Sequence, residues 1–86
     1  MNKTLALNAI GRAAKRANVT VVDTRMEGEH IKMLLRADND RPAQIGMLYS
    51  YQQFSEKEIE LYTMRFAKHW CHGEPYTWGG WGDSIR

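Results

Sequence analysis

The residues best suited to metal chemistry are His69-Trp70-Cys71-His72, three ligand-type side chains within four positions. Zinc and copper centres need ligands that converge on one point, and residues two apart on a helix point in different directions. No second Cys/His group lies elsewhere to close a tetrahedron, so no metal centre and no cofactor are expected. His69 and His72 fit better near a helix C-terminus, where the dipole favours positive charge. The acids Asp38-Asn39-Asp40 lack the further spaced ligands of a calcium loop and read as turn residues. The chain holds no P-loop, no G-x-S-x-G, no H-E-x-x-H and no paired cysteines. It is therefore not expected to be an enzyme.

Two other groups suit binding rather than catalysis. Asn8, Arg12, Lys15 and Arg16 form a basic arc in a segment without acids. Such an arc either contacts phosphates, with the salt dependence of counterion release, or is an ordinary solvated helix face. Near the other end, Trp78 and Trp81 are separated by Gly79-Gly80 and followed by Gly82. Glycines let large rings reach a surface, and tryptophan is enriched among interface hot spots. With Asp83 opposing Arg86, this tail suits a protein surface better than nucleic acid.

Elements to position these residues can be read from periodicity. Residues 3–17 are alanine-rich and sort into an apolar arc, Ala6, Leu7, Ile10, Ala13, Ala14 and Ala17, opposite the basic arc. This predicts a helix ending near Asn18. Three β-like runs follow: Val19 to Met26, Glu29 to Ala37 and Ala43 to Tyr51. The second alternates Ile31, Met33 and Leu35 against His30, Lys32 and Arg36. The third alternates Ile45, Met47, Tyr49 and Tyr51 against Gln44, Gly46 and Ser50, which predicts that the first set faces the core. Glu27-Gly28 suits a tight hairpin turn and Asp38-Asn39-Asp40-Arg41-Pro42 a longer one, giving an antiparallel meander.

Ser55-Glu56-Lys57-Glu58 is a capping box, with Phe54 and Ile59 at the hydrophobic-staple positions. The helix it opens places Ile59, Tyr62, Phe66 and Trp70 on one arc and ends near Gly73, before Pro75. Leu61, Met64 and Cys71 fall on the opposite arc, beside Lys57, Glu60 and Lys68. A second apolar stripe calls for a cover: the tryptophan tail folding back, another protein, or a second copy of the chain.

The fold class is thus α+β, with order α-β-β-β-α and both helices on one face of a three-stranded antiparallel sheet. Residues 1–75 form one domain and residues 76–86 a Trp/Gly-rich tail. Composition agrees with a small soluble domain: 86 residues, 26% charged and 43% hydrophobic, net charge +2. Neither disorder nor a membrane span is indicated. One cysteine excludes an internal disulfide, and no secretory signal pattern opens the chain, so a cytoplasmic location is expected.

The element order is similar to that of the double-stranded-RNA-binding domain. That family places a lysine-rich clamp at the start of its second helix and a Gly-Pro-x-His type loop in its first hairpin. Here those places read Glu56-Lys57-Glu58-Ile59-Glu60 and Glu27-Gly28-Glu29-His30, both acidic, so none of the family's binding residues carries over. Over its whole length the chain also resembles small early-region proteins of T7-like bacteriophages. The likeness lies in its length, its opening Met1-Asn2-Lys3-Thr4-Leu5-Ala6-Leu7-Asn8-Ala9-Ile10-Gly11-Arg12 and its Trp-Gly-rich ending.

The phage resemblance implies a protein made inside a bacterium early in infection, from a gene group that includes many small inhibitors and modulators of host enzymes. The leading expectation is a non-enzymatic module that blocks a host protein through Leu61, Met64, Trp78 and Trp81. The alternative is a nucleic-acid binder using Asn8, Arg12, Lys15 and Arg16, and a homodimer is a further way to bury the unpaired third strand.

Overall fold

The computed structural model describes residues 1–75. Helix α1 spans Lys3–Arg16, strands β1, β2 and β3 span Val19–Glu27, His30–Ala37 and Gln44–Leu48, and helix α2 spans Glu56–Phe66. The α+β order expected from the periodicities is the one observed. The strands form one antiparallel sheet in the order β1-β2-β3.

α1 begins where the Asn2 side chain accepts a hydrogen bond from the Leu5 amide at 2.9 Å. It ends at Ala17, and Asn18 then takes a left-handed conformation with φ 59°. Its buried stripe is nearly all alanine: Ala6, Ala9, Ala13 and Ala14, with Ile10 as the one large side chain. Small side chains let α1 approach its neighbours closely. Gly11 lies on the opposite, exposed side, and a Cβ added there meets nothing within 4 Å. Gly11→Ala is therefore expected to stabilise the fold by up to about 1 kcal/mol, through the lower entropy cost of fixing alanine in a helix. Urea unfolding of the variant checks this.

Glu27 pairs with His30, so the first hairpin turns through Gly28 and Glu29, one residue later than expected, with Gly28 at φ 63°. The β1–β2 register shifts between Val21 and Asp23, which leaves Val22 as a bulge, 46% exposed. Ile31, Met33 and Leu35 of β2 point into the core, as their alternation predicts.

The third strand departs from expectation in length and phase. β3 stops at Leu48, Ser50 turns through a left-handed conformation, and Tyr51 opens a short 3₁₀ turn that buries its ring. Pairing of Ile31 with Leu48 and of Met33 with Gly46 puts Leu48 and Gly46 on the core side. Ile45 and Tyr49, expected inside, are 64% and 63% exposed on the other face. The physical reason is packing: the Phe66 ring of α2 and the Met33 side chain occupy the space above Gly46, so only a residue without a side chain fits beneath them.

The capping box forms as expected: Ser55 Oγ accepts from the Glu58 amide at 3.2 Å, and the Ser55 amide donates to Glu58 Oε1 at 2.9 Å. Beyond Phe66 the helix widens into a π-helical turn over Ala67–Cys71 before Gly73, at φ 74°, ends it. The wider turn changes which side chains face inward. Ile59, Thr63, Ala67 and Cys71 are buried, whereas Trp70, expected in the core, is 47% exposed. Cys71, expected on the outer arc, is fully buried.

Candidate functional site

The basic arc on α1 is split by an ion-pair clamp between the helices. Arg12 donates from Nη2 to Glu56 Oε2 at 2.7 Å and from Nε to Glu60 Oε1 at 3.2 Å. The Glu56 hydrogen bond, followed by that to Glu60, raises the Arg12 pKa above its ordinary value. The acidic start of α2 and the basic side of α1 thus satisfy one another. Asn8, Lys15 and Arg16 remain exposed beside the clamp. With Arg12 occupied, Lys15 and Arg16 are left as the cations of this face, which is little charge for gripping a phosphate backbone.

The His/Cys segment is dispersed by its own backbone. Cys71 Sγ approaches the Leu35 carbonyl at 3.6 Å in the core, and burial pushes its thiol pKa up. The ring nitrogens Nδ1 of His69 and Nε2 of His72 lie 2.8 Å from the Glu74 carbonyl and 2.7 Å from the Ala17 carbonyl. A carbonyl only accepts, so each of these nitrogens carries the proton in its contact. His72 thereby ties the end of α2 to the end of α1. Among the described residues no three His, Cys, Asp or Glu side chains converge as a metal site. No helix among them is long and apolar enough to cross a membrane.

Leu61 and Met64 are half-buried on α2, and Cys71 does not extend their stripe to the surface. Trp78 and Trp81 lie outside the described residues.

The surface that the structure assembles is the helix-free face of the sheet. Strand pairing sets Lys32 beside Met47 and Leu34 beside Ile45, with Arg25 and Asp23 next to them on β1. The Tyr49 ring meets the His30 ring edge-on, with centroids 4.8 Å apart, while His30 Nδ1 accepts from the Ser50 amide at 3.3 Å. Leu34, Ile45, Met47 and Tyr49 thus form a continuous apolar strip along β3 and the centre of β2. A shallow hollow lies beside the strip, bounded by Asp23, Arg25, Lys32, Met33, Leu34 and Ile45. The flanking charges neutralise one another, Arg25 with Asp23 at 3.2 Å and Lys32 with Glu27 at 3.4 Å. An apolar strip beside internally paired charges suits a protein surface better than a polyanion.

Alternation points to the wrong face, because Ile45, Met47 and Tyr49 outnumber Leu48, the apolar residue on the side that packs. The missed signal is Gly46: a glycine in a strand often marks close approach of another group, here Phe66, and therefore the packed side.

No protein-family model, curated protein or solved structure matches the chain.

Proposed function

We propose that the chain is a small non-enzymatic binding module that engages a protein of a bacterial host, early in phage infection, and acts by steric blockade. The observation that supports this reading is the helix-free sheet face, where Ile45 and Tyr49 stand 64% and 63% exposed beside Leu34 and Met47. A small domain needs most of its large apolar residues inside, so apolar residues gathered on a surface need a purpose beyond the fold. Duplex or single-stranded nucleic acid is the weaker reading, since Arg12 is held by Glu56 and Glu60, and Arg25 and Lys32 are paired with acids.

The test is affinity capture from bacterial lysate with the wild-type chain, Leu34→Glu and Trp78→Ala/Trp81→Ala. The expected result is one protein retained at a fixed ratio by the wild type, inhibited by it in proportion to occupancy, and lost with Leu34→Glu. Loss with the tryptophan variant as well would extend the contact to the tail. Capture that Leu34→Glu leaves unchanged removes the sheet face from the reading, and duplex binding abolished by Lys15→Glu/Arg16→Glu would replace it with the nucleic-acid alternative.

A further inference from the structure

The two outer strands of the sheet differ in how they guard their edges. An edge strand offers unpaired backbone groups to any passing strand, and proteins block this with bulges, charges or proline. β1 has such protection: the bulge at Val22 and the charged side chains of Asp23, Arg25 and Glu27. β3 has none of it. From Ala43 to Phe54 the sequence contains no charged residue and no proline, and among the described residues β3 pairs only with β2. Ile45 on β3 and Tyr49 just after it are also among the largest apolar groups exposed among the described residues.

The segment 45–49, which is β3 from its second residue together with the residue that follows it, is complementary to itself when reversed. In an antiparallel pairing centred on Met47, Met47 faces Met47 of a second copy, Ile45 faces Tyr49, and Gly46 faces Leu48. These pairs are apolar, the next one outward sets Gln44 against Ser50, and no like charges meet. Residues on the helix-free face pair only with residues on that face, because pairing preserves the two-residue alternation. An uncharged edge avoids like-charge repulsion with its own copy, whereas the mixed-charge β1 edge has to satisfy opposed charges.

We propose that β3 pairs antiparallel with β3 of a second copy about a twofold axis through Met47, forming a six-stranded sheet. Both helix layers then lie on one side, and the two apolar strips join into one surface on the other. The closed twofold contact leaves only the protected β1 edges outermost. This inference goes beyond the proposed function and does not depend on it: the dimer forms in purified protein without a host partner.

Sedimentation equilibrium and site-directed cross-linking test the proposal. The wild-type chain is expected to sediment at twice its 10.0 kDa mass, and Met47→Lys at the monomer mass with unchanged far-UV circular dichroism. Directly opposed residues have Cα atoms about 4.5–5.5 Å apart, within the range a disulfide spans. Oxidised Met47→Cys is therefore expected to become a covalent dimer, as is a mixture of Ile45→Cys with Tyr49→Cys. Tyr49→Cys alone is expected to remain uncrosslinked, since the register separates Tyr49 from its own copy by about four residues, roughly 14 Å. The wild-type chain, whose Cys71 is fully buried, is the control for background oxidation.

A wild-type monomer from micromolar to millimolar concentration overturns the proposal. So does a dimer that survives Met47→Lys but dissociates with Leu34→Glu, which would place the contact face to face, or self-cross-linking of Tyr49→Cys equal to that of Met47→Cys.

Discussion

Ile59→Ala is expected to lower the unfolding free energy by about 2–5 kcal/mol, whereas Trp70→Ala costs about 1 kcal/mol or less, although it removes more atoms. Ile59 sits four residues after the Ser55 cap, fully buried in the central cluster that includes Ile10, Ile31, Met33 and Leu35. Its truncation leaves a cavity between α2 and the sheet. Trp70 is 47% exposed and meets His69 edge-on with centroids 4.9 Å apart, a local contact that adds little across the fold. Native stability of small domains is about 5–15 kcal/mol, so the first substitution removes a large fraction and the second a small one. Urea denaturation with unchanged m-values separates the two. A greater loss at Trp70 than at Ile59 would mean that the regular helical phase continues through residue 70.

The same contrast shows what could be read from the sequence and what could not. Where local chemistry decides, the reading holds. Ser55 and Glu58 satisfy each other's amides, Asn18 takes the left-handed position after α1, and Gly28 supplies the positive φ of the first turn. The alternation in β2 is unambiguous because Ile31, Met33 and Leu35 face residues that are mostly polar. The helical phase of α2 is legible only to Phe66. A π-turn adds a residue to the turn without a distinctive residue type, and it moves Cys71 inward and Trp70 outward. Thr63 escapes notice for a related reason: hydropathy assigns a threonine to the surface, yet packing buries it completely.

The candidate site was legible in fragments. The charge asymmetry between residues 3–17 and the start of α2 is visible in the sequence, but the clamp that Arg12 makes with Glu56 and Glu60 depends on the crossing of two helices separated by the whole sheet. Leu34 is masked by Lys32 and Arg36, the polar residues that share its strand face, and its role follows only from register, which seats it between Asp23 and Ile45. Side-chain alternation on β3 points Ile45, Met47 and Tyr49 inward, and the structure reverses that phase. Tertiary packing at one glycine decides it.

That glycine carries the second large effect. Gly46→Val is expected to destabilise the domain by about 1–3 kcal/mol, the usual cost of forcing extra carbon atoms into a packed core. A Cβ built at position 46 lies 2.8 Å from Met33 Cε and 3.0 Å from Phe66 Cζ. The methionine end can swing aside, but Phe66 is a rigid ring on α2 and has to move with its helix or change rotamer. The loss therefore depends on the ring. In a Phe66→Leu background the added side chain gains room, and Gly46→Val is expected to cost less there than in the wild type. A double-mutant cycle by urea unfolding measures this coupling. If instead β3 lay in the opposite phase, with Ile45 and Met47 inward, position 46 would face solvent. Valine, a better strand former than glycine, would then stabilise the strand and show no coupling to Phe66. The sign of one substitution thus decides which face of β3 is free, and with it whether Ile45 and Tyr49 are available to a partner.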